Sequence, residues 1–454
     1  MAGAATAAPE RARRLTTPAG AGGELPPGPR LPAPIQTYGI VARPVRFLES
    51  CRRRFGQTFT LRILRAGEMV FISDPPSLKQ LFTADRENTI APGRHAVLEP
   101  VLGQRSVLLL EGEDHLRRRK LMLPPFHGKR MRAYETVMAN AAEGAVAGWP
   151  LGRPFRIHAS MQAITFEVIL AAVFGVQDDA RRAALGERLT EVLATTRSPF
   201  ALGMTLERAR KLPRFRRIAR MLGESDQIML AEISDRRADG DLDSREDILS
   251  MLVAARFDDG SAMSDAEVRD QLMTLLLAGH ETTATALAWA FDLLFRAPDK
   301  LARMREELAA GHGHEYLDAV IKETLRVRPV VPFVGRRLRK PMELGGYHLP
   351  AGTDVMPAIL LTHTRPDVYP DPYEFRPERF LEGNPETFGW IPFGGGTRRC
   401  IGAAFAEFEM RVVLSTILRR ATLCPATEHP EEVVRRNVTL SPRGGTPAVL
   451  VDRR

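Results

Sequence analysis

The sequence predicts one large α+β domain, mainly α with a small β region. Three observations predict it. Helical periodicity of apolar residues dominates from Pro26-Pro27-Gly28-Pro29 almost to the end of the chain, strand-like alternation is sparse and clustered, and no internal repeat or second low-complexity segment divides the sequence. At 454 residues the chain buries a sizeable core without needing a disulfide or metal staple. Its apolar fraction of 44% and charged fraction of 26% are those of a globular protein.

In chain order, residues 1–32 are rich in Ala, Gly, Pro and Arg and hold no sustained apolar stretch, so they read as a flexible leader ahead of a single domain over 33–454. A cleaved transit peptide is the lesser alternative. Helices are predicted over Arg46–Phe55, Pro76–Phe82, Asp114–Leu123, Arg130–Val146, Met161–Phe174, Arg181–Leu193 and Arg214–Asp239. The longest begins at Ser264, where Ser264-Asp-Ala-Glu267 forms a capping-box sequence, and runs without proline to about Arg296. That is about 50 Å at about 1.5 Å per residue. Leu272–Ala278 and Ala284–Phe291 are apolar nearly all round, which predicts burial on every side. His280, Glu281 and Asp292 interrupt the stretch and argue against a membrane span. Strands are predicted at Thr58–Ile63 and Met69–Ile72, at Met342–Leu344 and Tyr347–Leu349 around Gly345-Gly346, and at Thr353–Ile359. The stretch Leu308–Tyr316 is short for the helix junction it must contain.

The formal charge of +9 comes from 64 basic and 55 acidic residues. Without a long basic run or nucleic-acid motif, this predicts a mixed, solvated surface and no nucleic-acid partner. Three separated cysteines, Cys51, Cys400 and Cys424, with no CxxC spacing, argue against a disulfide framework and a structural zinc site, and fit a reducing cytoplasm. They also single out one thiol for chemistry.

That thiol is Cys400. In Phe393-Gly-Gly-Gly-Thr-Arg-Arg-Cys-Ile-Gly402, glycines permit left-handed backbone and close approach to a flat ligand, and the cysteine sits at the mouth of the next helix, where free N–H groups stabilise a thiolate. A phosphate loop would need a GK[ST] ending, and a nucleophilic cysteine a nearby histidine; the segment has neither. A thiolate held by hydrogen bonds is what a haem iron takes as an axial ligand. Two other elements stand out. Glu323 and Arg326 lie one turn apart on a predicted helix, a spacing that taken alone is most often a solvated pair. Ala278-Gly-His-Glu-Thr-Thr283 places Glu281 and Thr282 inside the apolar long helix, where unpaired polar groups are costly, although a hydroxyl bonded to the preceding turn is the bland explanation.

The pattern of Phe393, Gly396, Arg398, Cys400 and Gly402 resembles the cysteine-ligand loop of the cytochromes P450. Glu323-Thr-Leu-Arg326 and Arg379 in Phe375-Arg-Pro-Glu-Arg-Phe380 match the same family's bracing network, and the three motifs occur in the family's order from about Pro26 onward. The resemblance implies the cytochrome P450 fold and heme b ligated by Cys400. Phe393 then packs near the sulfur and Arg398 reaches a propionate, with His115 and Arg119 as further propionate contacts; Arg336 matches another, although adjacent Arg337 leaves that choice open. Glu323, Arg326 and Arg379 brace the fold, and Glu281 and Thr282 are an acid–alcohol pair delivering protons to dioxygen. His280 receives no role.

The activity so implied is monooxygenation with O2 of an apolar small molecule of terpenoid, fatty-acid or steroid-like type. NAD(P)H is used indirectly. No flavin or ferredoxin segment occurs within the chain, so a separate acidic ferredoxin or flavodoxin with its reductase is the expected electron donor. It would dock on Arg117, Arg118, Lys120 and Arg399. By the same resemblance the pocket is lined from Pro92–Leu110, Phe200–Met204, Leu277–Thr282 and Val330–Val334. A monomer is expected. The rivals are a peroxygenase or isomerase on the same fold and a non-catalytic haem-binding sensor; the Glu281–Thr282 pair counts against both.

Overall fold

A computed structural model describes residues 25–90, 98–126, 128, 130–176, 178–196, 213–311, 313–383 and 385–454. Its axis is the helix Asp265–Phe295, which opens on the expected capping box: the Ser264 hydroxyl accepts from the Glu267 N–H, and the Glu267 carboxylate accepts from the Ser264 N–H. Helices Ile157–Ile169, Pro213–Ala238, Glu315–Val327 and Ala403–Arg420 pack around it. One large apolar cluster, including Leu272, Leu276, Leu287 and Phe291, fills the space between them. Burial of a helix on nearly every side needs apolar residues at nearly every position, and this one has them.

A five-stranded sheet lies to one side, in the order Thr58–Ile63, Gly67–Ile72, Asp354–Pro357, Arg336–Leu338, Thr89–Ile90. The first pair is antiparallel, Gly67–Ile72 runs parallel to Asp354–Pro357, and the remaining pairs are antiparallel. Stacked Phe59 and Phe71, with ring centroids 5.5 Å apart, anchor its apolar face. The hairpin Met342–Leu344 with Tyr347–Leu349 forms as expected.

Several elements depart from the sequence reading. Thr353–Ile359 divides into the strand Asp354–Pro357 and a short helix, Ile359–His363. The helix expected over Met161–Phe174 starts at Ile157 and winds its last turn as a π-helix over Leu170–Phe174. Helices Ala33–Ala42 and Pro298–Ala310 were not anticipated. Nor was the strand-rich C-terminus: Ala421–Pro425 and Pro154–Arg156 flank Pro447–Arg453, and Val433–Arg436 pairs with Thr439–Pro442. The first of these sheets joins residues far apart in sequence, a pairing that local periodicity does not encode. The uncertain junction resolves at Gly311, whose φ of +70° ends one helix; Glu307 on that helix accepts the Tyr316 and Leu317 N–H groups that begin the next.

Leu25–Pro32, assigned to the leader above, are tied to the domain. The Thr60 N–H donates to the Pro27 carbonyl at 3.1 Å, and Gln36 donates to the carbonyls of Pro29 and Leu31. A Cβ on Gly28 would lie 1.9 Å from the Thr60 oxygen, so only glycine permits that approach. Residues 1–24 lie outside the described part. Among the described residues, Ile157–Phe174 alone is long and apolar enough to cross a membrane, and 61% of it is buried inside the protein, as expected of a core helix.

Candidate active site

The cysteine loop is braced from one side. Gly395 lies where a Cβ would stand 2.5 Å from the Phe82 ring, and Gly396, at φ +68°, where one would stand 2.5 Å from an Asp85 carboxylate oxygen. These glycines therefore serve contacts with the protein, where the sequence had pointed to a flat ligand. Asp85 accepts from the Thr397 N–H at 2.9 Å, from its hydroxyl at 2.8 Å and from Arg336 Nε at 2.6 Å. Arg336 also donates to the carbonyls of Gly335 and Gly395, so all three of its nitrogens are engaged by protein acceptors. Neighbouring Arg337 turns the other way into a bidentate pair with Asp354 at 2.8 and 2.9 Å. Of the two arginines left open above, Arg336 faces the loop.

The Cys400 N–H donates to the Phe393 carbonyl at 3.0 Å, and the helix Ala403–Arg420 begins just beyond Gly402. Burial pushes the Cys400 thiol up, while the Gly402 N–H, Arg119 and Arg399 pull it down. Burial wins, so these groups alone do not hold a thiolate; a cation against the sulfur would. The residue is nonetheless accessible to a molecule the size of water. Cys51, by contrast, is buried and pushed up to about 11, an inert core thiol. Cys424 is half-buried in a strand.

Three basic side chains converge nearby. His115 is buried and held at about 4 by burial, Arg398 and Arg119, so its imidazole is neutral at neutral pH. Arg119 and Arg398 are themselves depressed by burial first, and Arg398 donates to the Leu110 carbonyl at 2.6 Å. Among the described residues neither Arg119 nor Arg398 makes an ion pair with a carboxylate, and semi-buried arginines crowded together are an environment that takes up carboxylates.

On the long helix, Thr282 Oγ1 donates to the Ala278 carbonyl at 2.6 Å. Glu281 turns toward the neighbouring helix, where Gln162 donates to it at 2.7 Å and His158 Nε2 lies 3.5 Å away; His158 also meets the Thr285 hydroxyl at 3.2 Å. His280 is buried against the Thr165 hydroxyl and the Phe166 ring, a helix-to-helix contact. In the middle of the helix Ala278 is exposed, and Leu275, Leu277, Gly279, Glu281 and Thr282 are half-buried. The spacing of three and four residues puts Leu275, Ala278, Gly279 and Thr282 on one face, an open stripe along a core helix, while Leu277 and Glu281 lie on another.

This donor set fits one iron porphyrin. It offers one thiol beneath backbone N–H donors, semi-buried arginines for two propionates, and an open helix stripe bearing a hydroxyl. No cluster of three or more His, Cys, Asp or Glu able to hold a bare metal ion occurs among the described residues.

Glu323, Arg326 and Arg379 come together as anticipated. Arg326 makes a fork to Glu323 at 2.7 and 2.8 Å, Arg379 Nε lies 3.4 Å from Glu323, and all three side chains are buried. The docking cations fare differently. Arg117 pairs with Asp259 at 2.7 Å, Lys120 with Asp258 at 2.7 Å, and Arg118 with Asp114 and Glu267. Of the four, Arg399 is the one exposed next to Cys400 with no ion pair to a carboxylate among the described residues. Of the segments expected to line the pocket, residues 91–97 and 200–204 lie outside the described part.

Sequence reasoning missed Asp85, His158 and Gln162, whose roles arise from contacts between distant segments. It also missed Glu409, fully buried in the helix after Cys400, pushed up to about 8 by burial and hydrogen-bonded by Thr283. A glutamate inside an apolar helical stretch was the available signal.

Known proteins share this fold. The cytochrome P450 family profile matches residues 26–446. Two Mycobacterium tuberculosis relatives carry the names "Putative cytochrome P450 135B1", 44% identical across 93% of this chain and 90% of the relative, and "Putative cytochrome P450 137", 39% identical across 96% and 92%. Among solved structures, "Retinoic acid bound cyanobacterial CYP120A1" superposes with a TM-score of 0.81 at 27% identity, covering 95% of this chain and all of that one. The heme domain of cytochrome P450DA, at 22% identity and a TM-score of 0.80 over 95% of this chain and 98% of that one, shows the shared fold. The chain belongs to the cytochrome P450 family and is a haem-dependent monooxygenase.

Proposed function

We propose that this cytoplasmic enzyme hydroxylates an apolar small molecule of terpenoid, fatty-acid or steroid-like type with O2, using NAD(P)H electrons passed on by a separate protein. The open stripe of Leu275, Ala278, Gly279 and Thr282 on a mostly buried helix carries the reading, because it offers a mostly apolar wall with one hydroxyl. The cyanobacterial neighbour was solved with retinoic acid bound, and that isoprenoid points the same way.

Cys400 would hold heme b from below, and Arg119, Arg398 and His115 its propionates, with Arg336 and Asp85 keeping the loop in place. The bound haem supplies the activation of dioxygen. What the chain itself supplies is proton control. The Thr282 hydroxyl donates its hydrogen to Ala278, so its lone pairs are free to accept one from a donor on the open side. Glu281, one residue earlier and bonded by Gln162, faces His158; rotation of its carboxyl toward the stripe would bring a proton from that side. Thr282→Ala should still bind haem and consume NADPH, with a larger share of oxygen leaving as peroxide. An unchanged ratio of product to NADPH would remove Thr282 from the relay.

An acidic ferredoxin or flavodoxin would approach near Cys400. Because Arg117, Arg118 and Lys120 already face carboxylates, Arg399 is the cation left to steer it. Arg399→Glu should slow reduction by such a partner and flatten its salt dependence at normal haem content, and Arg117→Glu should do less. Reduction rates indifferent both to salt and to these substitutions would sink the docking idea.

A further inference from the structure

We propose that Asp85 is a positioning residue for the haem: it claims the charge of Arg336 and so leaves Arg119 and Arg398 as the two cations that meet the two propionates. This role rests on the haem site proposed above.

Asp85 opens the short helix Asp85–Asn88 and is 3% exposed. A buried carboxylate is costly unless it is both paired and hydrogen-bonded. Here it faces Arg336 Nε at 2.6 Å, accepts from the N–H and hydroxyl of Thr397 in the cysteine loop, and accepts from the Thr89 hydroxyl. Burial alone would push its carboxyl up, yet Arg336 and these hydrogen bonds hold it below the ordinary value, so it is ionised at neutral pH.

Arg336 is fixed to match. Its guanidinium lies 5.5 Å from the Phe82 ring centroid, and its terminal nitrogens donate to the Gly335 and Gly395 carbonyls at 2.9 Å each. Neutral carbonyls leave its charge intact, and Asp85 is the group that cancels it.

The charges then balance. His115, Arg119, Arg336 and Arg398 act on one another in this region, and His115 is neutral, which leaves three positive charges. Asp85 is the buried acid among them; Glu111, which also acts on Arg398, is half-buried, where solvent screens it. With Arg336 compensated, two arginines remain for two propionates. Without Asp85, Arg336 would be a third cation with no carboxylate of its own, and would favour the ferrous state of a bound haem.

The test is the ferric–ferrous midpoint of the full-length, haem-loaded protein, followed by spectroelectrochemical titration. Asp85→Asn keeps an oxygen to accept from Thr397 but uncovers the Arg336 charge. It should shift the equilibrium about tenfold toward ferrous, about 59 mV for a one-electron couple. Arg336→Gln should shift it about as far toward ferric, because Asp85 then stands uncompensated. The double variant Asp85→Asn with Arg336→Gln removes one charge of each sign and should return to within about twofold of wild type, even where a single variant fails to fold. A purely bracing role would not give opposite shifts that cancel. Haem-bound single variants at the wild-type midpoint, or a double variant displaced from wild type as far as Arg336→Gln, would overturn the role of Asp85. Wild-type protein with no haem spectrum would instead overturn the haem site itself.

Discussion

Cys400→Ser should abolish the red-shifted Soret band of the reduced carbon-monoxide complex. That band requires thiolate ligation, and a serine hydroxyl ionises far too reluctantly to replace it. The surroundings sharpen the expectation. Burial raises even the thiol at this position, so the pull of the Gly402 N–H, Arg119 and Arg399 falls short of ionising a weaker acid. Difference spectra of wild type and variant settle the matter, and retention of the band by Cys400→Ser overturns the ligand assignment. Cys51→Ser and Cys424→Ser should leave the band intact, since one thiol is buried in the sheet core and the other lies in the C-terminal sheet.

The largest stability effect is expected at Arg326, which is 0% exposed. Its guanidinium donates to both Glu323 oxygens and to the carbonyls of His363, Pro372 and Glu374, at 2.7 to 3.0 Å, and lies 4.8 Å from the Tyr369 ring. Arg326→Ala would take the two-pronged partner from the buried Glu323 carboxylate, leaving it the Arg376 N–H and Arg379, and would leave the three carbonyls without that donor. Breaking a buried pair in this way costs about 3–5 kcal/mol, against a total stability of about 5–15 kcal/mol. Arg326→Lys should recover little, because an ammonium cannot reproduce a planar fork with five donors. Arg379→Ala should cost less, since Glu323 keeps Arg326 and the Arg376 N–H at 2.9 Å. Urea midpoints of the three variants give the order; a wild-type midpoint for Arg326→Ala would show that the network braces nothing.

Why some features were legible in the sequence and others were not follows from their range. The capping box at Ser264 and Glu267 and the turn that carries Cys400 each close within a few residues, so local sequence specifies them, whereas the equally local spacing of Glu323 and Arg326 leaves open whether the pair is solvated or buried. The long helix was legible for a related reason: apolar residues on all its faces leave few other ways to hide them. Family resemblance then added what spacing lacks, linking Arg379 to Glu323 across 56 positions as a 3.4 Å contact.

Tertiary structure decided the rest, wherever partners come from distant segments. Asp85 holds the cysteine loop from more than three hundred residues away, and the loop's glycines exist partly to let it in. Arg336 and Arg337 are adjacent and chemically identical, and only strand pleating, which sends successive side chains to opposite faces, assigns one to the cysteine loop and the other to Asp354. Arg117 and Lys120 are free cations as far as spacing goes, and become compensated only where the fold sets Asp259 and Asp258 across from them. The same holds for Gln36: in the sequence it is a polar residue in an apolar helix, and only the carbonyls of Pro29 and Leu31 explain why it is inside and Tyr38 outside. Local spacing encodes which groups an element presents, but burial, pairing and charge compensation are properties of whichever surface comes to face it.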